Sequence, residues 1–195
     1  VVTTPPPDET SARRDELLDG AVAWTIEHGL ADLSLRPLAR SLGTSDRMVL
    51  YYFGTKDDLV AAVVDQAADG LAGALELVLP ELSRSPTAFV EGIWGLLTDP
   101  AAQGIVDLFL ELFVLTRRRG EPYRSAATRV IDRWLELAAP ALVAMGVPAR
   151  RAPGTVAAAL AQLDGGILLQ AAGATDAQLA AVRKAAIATI EAARG

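Results

Sequence analysis

The sequence predicts an all-α protein. Apolar residues recur at three- and four-residue spacing almost throughout, alternating β-branched runs are missing, and Pro and Gly cut the pattern into about nine helical segments.

Taken in order, residues 1–10 carry Pro5, Pro6 and Pro7 and read as a flexible arm. A first helix is expected from about Ser11 to His28, with Leu17, Leu18, Ala21, Trp24 and Thr25 inward and Gly29 as its stop. Ser34 looks like the N-cap of a short second helix that ends near Leu42, with Pro37 in the first turn, where a missing N–H costs little. Ser45 caps a third helix that ends at Phe53, before Gly54. Thr55 caps a long fourth, with Asp58 three residues on in a capping-box arrangement, and Pro80 should stop it near Leu79. Further helices are expected near 86–98, 101–118, 121–145, 149–173 and 176–193, with Pro140 and Pro153 kinking or restarting theirs.

Composition removes several function classes. The chain has 195 residues, 51% apolar and 22% charged, which is globular rather than disordered. It has no cysteine and one histidine, so thiolate zinc, iron–sulfur, disulfide and cysteine-nucleophile chemistry are out, as is a histidine-rich metal site. No cofactor and no metal are expected. Gly-x-Gly-x-x-Gly, Walker and His-Glu-x-x-His patterns are absent, and a serine triad would have to recruit His28 from a helix end, so an enzyme is not expected. The N-terminal stretch lacks the basic start and apolar core of a secretory signal. No run of about 18 uncharged apolar residues occurs, and a soluble cytoplasmic protein without a membrane span follows as the expectation.

The net charge is −6, which argues against nucleic-acid binding through bulk charge. The stretch 34–56 is different. It holds Arg36, Arg40, Arg47 and Lys56 against Asp46 alone, a local +3, and reads as short helix, Gly-containing turn, short helix. Leu38, Ala39, Leu42, Val49 and Leu50 can form a small core with the first helix, which is the helix-turn-helix arrangement whose second helix enters a major groove. Arg47 offers a fork that matches guanine O6 and N7, and Asp46 can accept from cytosine N4. Thr44 and Ser45, with the N–H groups of the helix start, suit a phosphate. Tyr51 and Tyr52 suit phosphate or a thymine methyl, and Lys56 and Arg36 suit backbone phosphate. The bland reading is a solvated helical hairpin.

Residues 13–64 resemble the N-terminal domain of the tetracycline-repressor (TetR) family. The resemblance rests on Leu17-Leu18, Gly20-Ala21, Trp24 and Gly29, on Leu38-Ala39 and Leu42-Gly43, on the run Gly43 to Phe53, and on Gly54-Thr55-Lys56-Asp57-Asp58-Leu59. Leu50 stands where the family often has a tyrosine, and Tyr52 where a histidine is usual. The resemblance implies a helix-turn-helix DNA-binding domain over 11–54 and a helical effector-binding and dimerisation domain over 55–195. It implies a homodimeric regulator, a repressor released from a palindromic operator by a small, mainly apolar effector. The alternative kept beside it is a helical small-molecule-binding protein without DNA-binding activity. The sequence names neither effector nor operator.

In the later helices, Trp94, Phe109, Phe113 and Trp134 serve either as core or as walls of the effector pocket that the resemblance implies. Gln103, Asp107, Glu111, Gln162, Asp164 and Gln170 fall among apolar neighbours and either orient a ligand or face solvent and cap backbone at kinks. Arg117, Arg118 and Arg119 complement a helix C-terminus. The last two helices carry Leu160, Leu163, Ile167, Leu168, Leu179, Ile187 and Ile190. A single chain can bury these internally, whereas the resemblance implies a four-helix interface between two chains.

Overall fold

A computed structural model describes residues 7–195, with side chains from Thr10 onward. Among the described residues there are nine helices and no strand. They are α1 (Pro7–His28), α2 (Leu35–Ser41), α3 (Asp46–Phe53), α4 (Lys56–Leu82), α5 (Pro86–Leu97), α6 (Gln103–Arg119), α7 (Tyr123–Ala144), α8 (Ala152–Ala171) and α9 (Asp176–Arg194).

Most boundaries fall where side chains can satisfy the first free N–H groups of a helix. Ser45 Oγ accepts from Met48 N, Ser85 Oγ from Ala88 N, and Thr175 forms a reciprocal capping box with Gln178. Thr55 Oγ1 accepts from Asp58 N while Asp58 Oδ2 accepts from Thr55 N, and these bonds to Thr55 hold the Asp58 carboxyl below its ordinary range. Pro153 lies in the first turn of α8 and restarts the chain there, as expected.

Three expectations need correction. The flexible arm over 1–10 is helical from Pro7, and its first six residues lie outside the described ones. Ser34 is extended at the start of α2 but makes no side-chain cap bond. Helix α4 does not stop at Pro80. It runs through it to Leu82, because a proline two residues from a helix end forfeits a single N–H bond, and Ser83 closes the end with both N–H and Oγ on Leu79 O. Helix α8 is long and apolar enough to cross a membrane by length and composition. One of its sides is nonetheless packed, with Val156, Ala159, Leu163 and Ile167 buried. Pro140 lies inside α7, which continues through it.

The chain packs as two units. One comprises residues up to Asp69 together with Asp107–Val130. The other comprises Gly70–Val106 and Ile131–Gly195. The boundaries of these packing units fall inside α4, α6 and α7. The reason lies in long-range side-chain ties within the first unit: Arg129 of α7 makes a two-pronged bond to Asp65 of α4, and Glu111 of α6 binds the turn after α1.

The core of the first unit includes Leu17, Leu18, Ala21, Trp24, Leu38, Ala39 and Val49, as the apolar spacing predicts. Leu30, Leu33, Phe53 and Leu59 join them. The second unit is built on Phe89, Val90, Ile93, Leu142, Val156, Leu163 and Ile190. There α8 and α9 pack along one another, and Gly166 makes this close: a Cβ at that position would lie 2.8 Å from the Trp94 ring and 3.1 Å from Val182.

Candidate functional site

The first unit presents a helix-turn-helix. Helices α2 and α3 pack on each other and on α1. The turn between them closes when Gly43 N bonds to Arg40 O and Thr44 N to Ala39 O. Gly43 has φ +62, a conformation that costs a side-chain-bearing residue about 1 kcal/mol or more. Val49 and Phe53 bury the inner face of α3. Its outer face carries Arg47, Met48 and Tyr51, with Met48 39% and Tyr51 58% exposed. Tyr52 meets Tyr51 edge-on at 5.1 Å between ring centres.

Arg36, Asp46 and Lys56 line one shallow concavity of about 430 Å³ with Ser34, Leu35 and Pro37. Of the eight residues named for nucleic acid, Arg36, Asp46 and Lys56 meet in this concavity; Thr44, Asp46, Tyr52 and Lys56 are half-buried, and Arg36, Ser45, Arg47 and Tyr51 are exposed. The structure also alters their division of labour. Asp46 Oδ1 accepts from Arg47 N and Oδ2 lies 3.9 Å from Arg36 Nε, so this carboxylate is engaged within the protein. With Met48 N on Ser45 Oγ, two N–H groups of the α3 start are already satisfied, which leaves an arriving phosphate mainly the hydroxyl protons of Thr44 and Ser45.

One feature escaped the sequence reading, and another was singled out there without its partners. Met48 adds an exposed apolar tip beside Tyr51, a match for a thymine methyl. Glu111 accepts from the N–H groups of Leu30 and Ala31, the second at 3.0 Å, and so fixes the turn that leads into α2. A separation of 80 residues leaves no local signal for it. His28, the residue a hydrolase would need, stacks on Trp24 with ring centres 4.3 Å apart and bonds through Nδ1 with Trp24 O, a helix-end role.

The second unit encloses a cavity of about 50 Å³ among α4, α5, α7 and α8. Of the residues named for a ligand, Trp134 and Asp164 line it. Burial pushes the Asp164 carboxyl up to about 6. The others are elsewhere. Trp94 packs over Gly166 and lies beneath the Arg183 guanidinium, 5.2 Å from its ring centre. Gln162 donates to Thr189 Oγ1 on α9, with its Oε1 buried. Gln103 is exposed, and Asp107, Phe109 and Phe113 belong to the first unit, where Phe109 is core.

Residues 17–63 match the family described as bacterial regulatory proteins, tetR family. That stretch, about a quarter of the chain, is similar to the tetR family. The chain is 32% identical over 82 residues to the HTH-type transcriptional regulator BetI of Serratia proteamaculans, covering 42% of this chain and 41% of that one. It is 30% identical over 105 residues to the HTH-type transcriptional repressor AcnR of Corynebacterium glutamicum, covering 54% and 51%. These matches span about half or less of the curated relatives' own lengths. Among solved structures, the multidrug binding protein EbrR complexed with proflavin superposes with a TM-score of 0.68 at 26% identity, over 91% of this chain and 99% of that one. The tetR-family match falls on α1 to α3 and the first turns of α4, the stretch that bears the basic face.

Proposed function

We propose that this chain is a sequence-specific DNA-binding transcription regulator of the cytoplasm, a homodimeric repressor released from a palindromic operator by a small organic effector. One observation carries the reading. In a chain of net charge −6, the stretch 34–56 carries Arg36, Arg40, Arg47 and Lys56 against Asp46 alone, and α3 turns Arg47, Met48 and Tyr51 outward. Arg47 reads guanine, Met48 and Tyr51 touch thymine methyls, and Arg36 and Lys56 hold phosphates. The chemistry is recognition, with no bond made or broken.

Dimerisation supplies the second recognition helix, so the operator is two half-sites roughly 34–36 Å apart, or a multiple of that. The outward Leu168, 57% exposed, and Leu169 of α8 support a pairing face on α8 and α9. The cavity of the second unit and the EbrR complex with proflavin support an effector there. Helix α4 carries Lys56 near one end and the cavity residues Leu71 and Leu75 further along, so it is the lever. The effector acts by binding the released state more tightly, with a coupling of about 1–3 kcal/mol.

Selection of bound fragments from random duplex DNA tests the reading. The expected result is a palindrome of two short half-sites. No enrichment at low salt would leave the alternative, a helical protein that binds small molecules and not DNA.

A further inference from the structure

The cavity of the second unit holds one ionisable group. Its walls come from α4, α5, α7 and α8, and apart from Asp164 they are apolar or aromatic, with Phe89, Trp134, Leu75 and Leu160 among them. Asp164 has no hydrogen-bond or ion-pair partner among the described residues. A carboxylate in that position is costly, because a buried charge needs a counter-charge or several hydrogen bonds. The Arg183 cation that α9 brings to this unit is already held by Glu91 on α5 and covers Trp94. Gln162, two residues from Asp164, is committed to Thr189. Nothing in the fold explains an acid at this place as a cap or a salt bridge.

We propose that this cavity binds a small organic cation, with Asp164 as its counter-ion and Trp134 as part of its aromatic wall. The inference rests on the second unit being the effector-binding part. An ammonium group supplies the charge the carboxylate lacks, and an aromatic face attracts the same group through its quadrupole. The upward displacement of the Asp164 carboxyl by burial agrees with a site that lacks its cation. An apolar body on the cation fits the remaining walls. A metal ion does not fit, since hard cations want several oxygen ligands and no group of three or more His, Cys, Asp or Glu gathers among the described residues. The cavity is smaller than the roughly 300–1,000 Å³ of ordinary ligand pockets, so binding widens it and the ligand is small.

Calorimetric titration of the full chain with benzylammonium and with benzyl alcohol, its neutral counterpart in shape, at pH 7.5 separates charge from shape. The wild-type chain should bind benzylammonium at least tenfold more tightly than benzyl alcohol. Asp164→Asn should abolish that preference and leave benzyl alcohol within twofold of wild type. Asp164→Ser repeats the arm should the first variant not fold. Equal affinities in the wild-type chain, or a preference that survives in both variants, overturn the counter-ion role while leaving an effector cavity. Binding of neither compound overturns the effector reading as well.

Discussion

In the proposed function, Arg47 and Lys56 divide the work of recognition at the level of single side chains. Arg47 stands exposed on α3 one residue after Asp46, the first residue of the helix, whose carboxylate accepts from the Arg47 N–H. Arg47→Ala should weaken binding to the selected operator by about 1–3 kcal/mol and relax the preference at one base pair of each half-site, measured by competition against single-base variants. Lys56→Ala should weaken all sequences alike and reduce the log–log salt slope by about one for each phosphate no longer held. Asp164 makes a prediction of a different kind. Its folded-state value of about 6 lies above the ordinary 3.8, so the folded chain holds the proton more tightly than the unfolded one. The stabilisation from that proton is present at low pH and is lost as pH rises between these values. Above about pH 6 the ionised, desolvated carboxylate costs on the order of 2–3 kcal/mol. Asp164→Asn should therefore raise the urea midpoint at pH 7.5 and have little effect at pH 4. A variant no more stable at pH 7.5 would contradict the unpaired state of this carboxylate.

At the scale of elements, the helix-turn-helix was legible because its signals are local. Ser45 and Thr55 announce helix starts within three residues of the N–H groups they serve, and Gly43 supplies the one backbone conformation the turn requires. Pro80 misled for a complementary reason: the cost of proline depends on how much helix follows it, and only two residues do. The tie from Glu111 to the turn after α1 was invisible, since its partners are 80 and 81 residues away. The cavity was half legible for the same reason. Asp164 stood out among aliphatic neighbours, but so did Gln103 and Asp107, and only packing separates a wall residue from an exposed one. Glu111 carries a prediction for its element. Glu111→Ala leaves the N–H groups of Leu30 and Ala31 without their acceptor, at a cost of about 1–3 kcal/mol. Amide hydrogen exchange at Leu30 and Ala31 should accelerate, while the amides of α9 keep wild-type protection. Unchanged exchange at both turn amides would show that the carboxylate does not hold the turn.

For the whole molecule, the proposed function requires two copies acting on one duplex. Leu168 and Leu169 lie exposed on α8, a helix whose other side is packed in the second unit. Replacing both by aspartate should give a monomer by sedimentation with unchanged helix content. It should also lower affinity for a two-half-site operator by a hundredfold or more, while a single half-site is bound as before. That separates loss of pairing from loss of the head. The central claim is that a locally cationic helix-turn-helix on an acidic body grips DNA through phosphates and base edges. Its most direct test is the affinity of the wild-type chain for its selected operator as a function of salt. The expected result is a straight log–log line with a slope near −5 to −7, from about six to eight phosphate contacts per dimer. A flat line, or no binding at the lowest salt, would contradict the claim.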